Sequence, residues 1–287
     1  RAREALQQHR DEVLLSRQLV TIRTDLPMEL DLEALRVKEP DRARLRELFL
    51  ELEFHSLARD LAEPARVAER MATDYRTLTT PEEVEELVAR ARAAGRVAVD
   101  TETTSRDAMR ADLVGLSISL APGTGAYLPF AHRRPLALGL ESDDVANLPP
   151  LDSFEMRALA ALLEDEGVGK IGHNLKYDLL VLRRAGIELR GIEFDTMIAS
   201  YLIDPGRREH SLDSLALQYL NHRTITYEEV CGKGKSEIPF AEVPLERATE
   251  YAAEDADIPL RLMEIFRDEL ERTQLLGLFR EVEMPLI

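Results

Sequence analysis

The sequence has few of the features that mark a secreted or membrane protein. Its 287 residues include one cysteine, Cys231, and no tryptophan. A single cysteine excludes an internal disulfide and a metal site built from clustered cysteines. No apolar run approaches the roughly 18 residues that a membrane span needs. Residues 1–30 contain neither the apolar core nor the cleavage site of a signal peptide. We therefore expect a cytoplasmic protein with no membrane partner.

Positive charge is also scarce. The chain has 37 Lys and Arg residues against 54 Asp and Glu residues, which gives a formal net charge of −17. A protein that coats nucleic acid needs clustered Lys and Arg to neutralise phosphates, so that class is disfavoured. An acidic active site can still act on nucleic acid if divalent ions screen it, or if a tethered basic domain supplies the groove. Any function must therefore be inferred from local motifs.

The hydrophobic pattern divides the chain into a helical N-terminal part and a larger α/β part. Residues 1–62 predict short helices with too few apolar residues for an independent core, and residues 63–74 predict a linker. From about Tyr75, predicted helices alternate with strands. A helix at Pro81–Ala94 leads into a strand in RVAVDTE, and strands in DLVGLSISLA and GAYLPF follow as a meander. A last long helix is predicted at about Leu245–Leu270.

Acidic residues recur in this α/β part. In VAVDTETTS, Asp100 and Glu102 are two apart at the end of an apolar strand, so both carboxylates face one side and could share a cation. In KIGHNLKYDLLVL, Asn174 and Asp178 are four apart on a predicted helix. Each pattern alone also fits a simpler interpretation, namely a solvated strand end or an acidic residue that favours the helix dipole.

A third acidic segment adds a phenol. In ATEYAAEDADIPL, Tyr251 and Asp255 project side by side from the last predicted helix. A carboxylate that holds a metal beside a hydroxyl that orients a water suits hydrolysis of a phosphodiester. The simpler alternative is that Tyr251 is a half-buried core residue and Asp255 a surface charge.

The order of the three segments resembles one protein family. DTET, NLKYD and YAAEDAD are similar to the three exonuclease motifs of bacterial DNA polymerase I, in the superfamily named for four acidic residues and a tyrosine. LVGLS, FDTM, LDSLA and TITYEEVCGKGK resemble the segments between those motifs. The histidine branch of the superfamily has a histidine five residues before the last aspartate, where this chain has Glu250. Tyr251, four residues before Asp255, matches the tyrosine branch.

The resemblance implies a ribonuclease H-like α/β fold, with a mixed sheet flanked by helices and a small helical N-terminal segment. It assigns residues 75–272 to a 3′–5′ exonuclease domain. Residues 1–62 resemble the C-terminal end of a 5′-nuclease domain, and residues 273–287 resemble the start of a polymerase domain. We therefore expect a fragment of a longer polymerase chain, in which neither flank carries its own domain's catalytic residues.

By the same resemblance, the catalytic residues are Asp100, Glu102, Asp178, Tyr251 and Asp255, and the four carboxylates hold two divalent cations, Mg²⁺ or Mn²⁺. Asp100, Glu102 and Asp255 hold the first cation, while Asp100 and Asp178 reach the second. Tyr251 and Glu102 orient the attacking water. The implied substrate is DNA with a single-stranded or frayed 3′ end, from which mispaired nucleotides leave as 5′-mononucleotides.

The implied contacts to substrate are less uniform. Asn174 and Lys176 match family positions near the substrate, and Tyr227 matches an aromatic residue that can stack on a base. Arg106 replaces a leucine that often wedges between terminal bases in the family, although an arginine plane can also stack. His173 is either a substrate neighbour or an ordinary loop residue. The full predicted set is Thr103, Arg106, His173, Asn174, Lys176 and Tyr227.

Two other functions fit part of the pattern. The first is a catalytically silent spacer domain of the polymerase, but such a domain has lost the carboxylates that are present here. The second is a related 3′–5′ ribonuclease, which keeps the carboxylates but should lack the polymerase-like flanks at 11–62 and 281–287. The partners we expect are DNA and the remainder of the polymerase chain, and we expect a monomer.

Overall fold

The structure, a computed structural model, describes residues 7–25, 35–52, 73–134 and 145–287, with single residues 3, 27, 31, 33, 54, 57, 58 and 61. The predicted linker therefore lies outside the described residues as far as residue 72. The chain forms two compact units, Arg1–Asp41 and Arg42–Ile287. In the described part of the first unit, helix α1 (Arg10–Val20) has no buried residue. No helix among the described residues is long and apolar enough to cross a membrane.

The second unit is built on a six-stranded sheet. Its strands are β1 (Asp74–Thr77), β2 (Arg96–Thr103), β3 (Leu113–Ser119), β4 (Thr124–Pro129), β5 (Gly169–Gly172) and β6 (Ile192–Asp195). Its helices are α2 (Arg42–Glu51), α3 (Pro81–Ala94), α4 (Arg157–Leu163), α5 (Leu175–Arg184), α6 (Thr196–Ile203), α7 (Leu212–Leu220), α8 (Tyr227–Cys231), α9 (Leu245–Arg272) and α10 (Leu276–Leu278). Short 3₁₀ turns occur at Gly234–Ser236, Phe240–Glu242 and Met284–Leu286, and a π-helical turn occurs at Phe279–Glu283.

The sheet is mixed, in the order β1-β4-β3-β2-β5-β6. The predicted meander is confirmed, because β3 is antiparallel to both β2 and β4. Strands β5 and β6 run parallel to β2, and β1 runs parallel to β4. The C-terminal ends of β2, β5 and β6 therefore lie at one edge of the sheet. Chain segments that follow these strands start beside the acidic end of β2.

Helices cover both faces of the sheet, and β2 divides the core between them. Side chains alternate along a strand, so Val97 and Val99 face one side and Ala98 the other. Val97 and Val99 belong to an apolar cluster with residues of α3, α4 and α5. Ala98 belongs to a second cluster with residues of α6, α7 and α9. The fold class predicted from the sequence, an α/β sheet flanked by helices, is confirmed.

Helix α9 lies close to the sheet because small residues face it. A Cβ added to Gly125 would lie 2.7 Å from the Cβ of Ala253, so neither position has room for a larger side chain. At the edge of the sheet, β1 is tied to the same helix. The Tyr75 hydroxyl donates to Asp257 Oδ2 at 2.9 Å, and Asp257 Oδ1 accepts from Gly123 N at 2.8 Å. The sequence did not predict β1, since its four residues DYRT carry no apolar alternation.

Candidate metal centre

The end of β2 carries the first two carboxylates. Alternation along the strand places Asp100 and Glu102 on the Ala98 face, which α9 covers, whereas Thr101 faces α5. Glu102 is only 7% exposed, and it pairs across the sheet with Gly115. A side chain at Gly115 has no room, because an added Cβ would lie 2.1 Å from the Tyr127 hydroxyl. Tyr127 therefore fills the space beside Glu102.

Helix α9 adds the third carboxylate. One oxygen each of Asp100, Glu102 and Asp255 lie within 4.8 Å of one another. None of the three forms an ion pair in the part of the chain that the structure describes. Glu102 Oε1 is buried and has no hydrogen-bond partner among the described residues. Three clustered carboxylate oxygens, on residues that include a buried Glu102 with an unsatisfied acceptor, fit a hard divalent cation, which prefers oxygen ligands.

Burial raises the pKa of each carboxyl group in this cluster. The pKa of Asp100 rises to about 7 because the side chain is desolvated. The pKa of Glu102 is raised by burial and then by the charges of Asp100 and Asp178. The pKa of Asp255 is raised by burial and then by Asp100 and Glu102. A bound cation would relieve both causes, because it restores favourable interactions for the ionised carboxylates.

Asp178 approaches the cluster from the other face of the sheet. It lies in the first turn of α5 and is 3% exposed. Its Oδ1 accepts from Thr101 N at 2.9 Å and from Thr101 Oγ1 at 2.7 Å. Burial and the charge of Asp100 raise the pKa of Asp178, so the two carboxylates lie in one electrostatic field. The second oxygen of Asp178 accepts neither of the bonds from Thr101.

Tyr251 lies one turn before Asp255 on α9. Its half-buried ring packs against Phe240, with the ring centroids 5.9 Å apart. Burial and the neighbouring Asp255 raise the pKa of the Tyr251 phenol well above its usual value. The phenol is therefore protonated at any physiological pH. It can orient a polar group beside Asp255, but it cannot serve as a general base.

Two of the predicted substrate residues come together. Arg106 Cζ lies 5.8 Å from the centroid of the Tyr227 ring, and Arg106 is exposed. Tyr227 is half-buried at the start of α8, and burial raises its pKa. Thr103 is engaged locally, because its hydroxyl lies 2.5 Å from the Tyr177 hydroxyl and donates to Ser105 O at 3.0 Å.

The segment before α5 differs from the prediction. Asn174 has a φ of 64° and precedes α5, so it does not share the helical face of Asp178. A left-handed residue is common for asparagine, because its short side chain tolerates that conformation. Asn174 and Lys176 are both exposed at the helix start. The His173 Nδ1 atom lies 2.9 Å from Thr196 Oγ1, and burial lowers the pKa of His173 to about 4.

Several residues that shape the site carried no sequence signal. Thr101 holds Asp178, and Tyr177 holds the loop after Glu102 through the Thr103 hydroxyl and Ser105 O. Each is a polar residue directly next to a candidate carboxylate in the sequence. That position is the one clue that could have identified them, but the bonds join segments more than 70 residues apart in the chain. Only the folded arrangement of β2 and α5 reveals these bonds.

Comparison with known proteins agrees with this arrangement. A family model described as 3′–5′ exonuclease matches residues 75–271. The chain is 37% identical over 295 residues to DNA polymerase I of Pseudomonas aeruginosa, with 98% of this chain and 31% of that protein covered. It is 33% identical over 368 residues to DNA polymerase I of Rhizobium leguminosarum, with 99% of this chain and 36% of that protein covered. The chain thus spans about a third of the length of these relatives.

Two solved structures are also similar to this chain. The chain resembles Pol1 of M. smegmatis, solved in complex with DNA primer-template and dNTP, with a TM-score of 0.54 and 26% identity over 73% of this chain and 30% of that one. It also resembles Escherichia coli RNase D, an exoribonuclease involved in structured RNA processing. That likeness has a TM-score of 0.53 and 22% identity over 71% of this chain and 47% of that one, so it shows the fold alone.

Proposed function

The chain belongs to the 3′–5′ exonuclease family, and from that membership we propose that it removes nucleotides from the 3′ end of DNA with the help of divalent cations. One observation carries the proposal. Asp100, Glu102 and Asp255 place oxygens within 4.8 Å of one another, and a buried oxygen of Glu102 has no partner in the described part of the chain. Such a cluster is unfavourable without a cation and suits phosphodiester hydrolysis with one.

Four carboxylates are enough for two cations, Mg²⁺ or Mn²⁺. Asp100, Glu102 and Asp255 would hold one, and Asp100 with the second oxygen of Asp178 would hold the other. When bound, the cations supply the Lewis acidity that activates a water and offsets charge on the departing 3′ oxygen. Thr101 keeps Asp178 aimed at the cluster through its two hydrogen bonds. Tyr251 remains protonated and orients the attacking water beside Asp255.

The substrate is DNA whose 3′ end is single-stranded or frayed. A paired end must unstack before it reaches a site at the edge of the sheet, so mispaired ends enter more easily. Arg106 and Tyr227 place two planar groups close together, with 5.8 Å between the guanidinium carbon and the ring centroid. We assign both groups to contacts with the terminal base of the substrate. Thr103, His173, Asn174 and Lys176 complete the proposed contacts.

The remaining binding energy comes from elsewhere in the polymerase. A net charge of −17 disfavours DNA binding by this chain alone. The relatives are DNA polymerase I proteins about three times as long. We propose that the exonuclease acts at residues 75–272 as part of such a polymerase in DNA replication and repair. In this proposal the rest of the chain supplies the basic DNA groove, and the protein is a cytoplasmic monomer.

The test is a primer–template with a mismatched 3′ end. We expect release of 5′-mononucleotides with Mg²⁺ and none with EDTA or with Asp178→Ala. Asp268→Ala is the matched control, because Asp268 is exposed on α9, and it should cleave like the wild type. An RNA strand in parallel distinguishes a ribonuclease. No release with Mg²⁺ contradicts the proposal and favours the silent spacer. Full activity in Asp178→Ala contradicts the role proposed for Asp178 in the metal site.

A further inference from the structure

Asp195 accepts four backbone N–H groups from two different helices. The residue ends β6, immediately before α6, and it is 1% exposed. Its Oδ1 accepts from Met197 N at 2.9 Å and Ile198 N at 3.2 Å, which caps α6 in the usual way. The same carboxylate reaches the neighbouring helix. Oδ1 also accepts from Asn174 N at 3.2 Å, and Oδ2 accepts from Leu175 N at 2.7 Å.

Helix α5 has no cap of its own. The residue in its capping position, Asn174, has a left-handed backbone, and its side chain makes no capping hydrogen bond. The first N–H groups of a helix have no partner within the helix, so they need an acceptor from outside. Asp195 is that acceptor. The parallel pairing of β5 with β6, which sets Gly172 opposite Asp195, brings the two helix starts within reach of one carboxylate.

The start of α5 is also the segment that carries Asp178. Asp178 lies three residues after Leu175, in the first turn of the helix, and it faces Thr101 of β2. If the first turn shifts or frays, the Asp178 carboxylate shifts with it relative to Asp100. The distance between these two carboxylates sets how well a cation can bridge them.

We propose that Asp195 is a positioning residue that fixes the first turn of α5 and thereby holds the Asp178 carboxylate in place relative to Asp100. The proposal rests on the proposed function, because it concerns the second cation of that site. In this proposal Asp195 contacts neither the cations nor the DNA, since its carboxylate accepts from backbone N–H groups. Its effect reaches the site through the Leu175 and Asn174 amides.

The test uses a substitution that separates the two caps. A serine is a good cap for its own helix, so Asp195→Ser should retain the α6 cap, but it has no second oxygen to reach Leu175. Asp195→Asn is the second variant, since its amide keeps the shape and can accept on one side only. The matched control is Thr80→Ala, which removes the capping box of α3, a helix that contributes no residue to the cluster.

Three readouts are compared at a temperature where all variants are folded. Hydrogen exchange in metal-free protein should quicken at the Leu175 amide, which donates to Oδ2, in Asp195→Ser and Asp195→Asn, but not in Thr80→Ala. The Mn²⁺ concentration for half-saturation, followed by the EPR signal of free Mn²⁺, should rise about tenfold. With 3′-mismatched DNA, kcat should fall while KM stays unchanged. In an Asp178→Ala background, Asp195→Ser should have no further effect on Mn²⁺ affinity, because its effect passes through Asp178.

The outcomes are distinct. If both Asp195 variants lose thermal stability as Thr80→Ala does but keep wild-type exchange, Mn²⁺ affinity and kcat, the carboxylate is only a structural cap and the proposal is wrong. If wild type releases no nucleotide, the proposed function fails, whereas exchange and Mn²⁺ binding still decide the role of Asp195.

Discussion

Replacing Asp100 with asparagine is expected to stabilise the metal-free protein while it abolishes hydrolysis. The reason is the crowding of buried carboxylates. Asp100 shares a site with Glu102 and Asp255, whose oxygens lie within 4.8 Å, and burial raises its pKa from 3.8 to about 7. A pKa rise of that size means that ionised Asp100 lowers the free energy of unfolding by about 4 kcal/mol.

The sign of the pH dependence follows from the raised pKa. Below pH 3.8 the Asp100 carboxyl is protonated in both the folded and the unfolded protein, so it does not change the free energy of unfolding. Between pH 3.8 and about 7 the unfolded chain loses its proton first, so the folded state loses relative stability, and the loss is complete above that range. The asparagine amide removes this loss of stability, but burying its polar group costs about 1–3 kcal/mol. The net gain is about 1–3 kcal/mol at pH 8, or several degrees in Tm.

The assay is thermal unfolding in EDTA at pH 8 and at pH 5, with Asp268→Asn as an exposed control on α9. The Tm of Asp100→Asn should exceed that of the wild type at pH 8, and the gap should narrow at pH 5. Added Mg²⁺ should raise the wild-type Tm more than that of the variant, because a ligand stabilises the state that binds it. A lower Tm for Asp100→Asn in EDTA at pH 8, or a gap that does not change with pH, would refute the reasoning.

Three further predictions concern the surroundings of the cluster. Burial lowers the pKa of His132 from 6.5 to about 4, so the unfolded chain takes up a proton before the folded protein as the pH falls. In urea unfolding, the wild type should therefore lose about 3 kcal/mol of unfolding free energy relative to His132→Phe between pH 6.5 and pH 4. A difference between the two proteins that does not change with pH would contradict this prediction. Gly115→Ala places a Cβ 2.1 Å from the buried Tyr127 hydroxyl. In the same assay the free energy of unfolding should fall by about 1–3 kcal/mol. An unchanged urea midpoint would show that β3 shifts to make room for the methyl group. Arg106→Ala removes the cation beside Tyr227 without introducing the leucine found in the family, and it should raise KM for single-stranded DNA with kcat unchanged. It should also reduce the slope of log affinity against log salt concentration by about one. A fall in kcat alone would assign Arg106 to the chemistry.

Much of the fold could be predicted from the sequence because the signals are local. The β-branched run in VAVDTE predicted β2, and Thr80 with Glu83 forms the capping box that begins α3. The side-by-side spacing of Tyr251 and Asp255 depends only on the geometry of one helix, α9. The predicted common face of Asp100 and Glu102 likewise depends on one strand. These features need no knowledge of the remainder of the chain.

The rest could not be predicted because it depends on contacts between distant segments. Strand β1 exists through its pairing with β4 and through the bond from Tyr75 to Asp257, 182 residues later. The left-handed backbone at Asn174 is sustained by the carboxylate of Asp195. The roles of the individual site residues in binding and catalysis stay predictions.

We propose that the carboxylates at Asp100, Glu102 and Asp255 hold a divalent cation that the hydrolysis of a DNA 3′ end requires. The most direct test is the single-turnover release of a labelled 3′-terminal nucleotide from mismatched DNA as a function of Mn²⁺ concentration, for wild type and Asp255→Asn. We predict saturable release by the wild type and none by the variant at any Mn²⁺ concentration. The same saturation curve for both proteins, or release in EDTA, would contradict the claim.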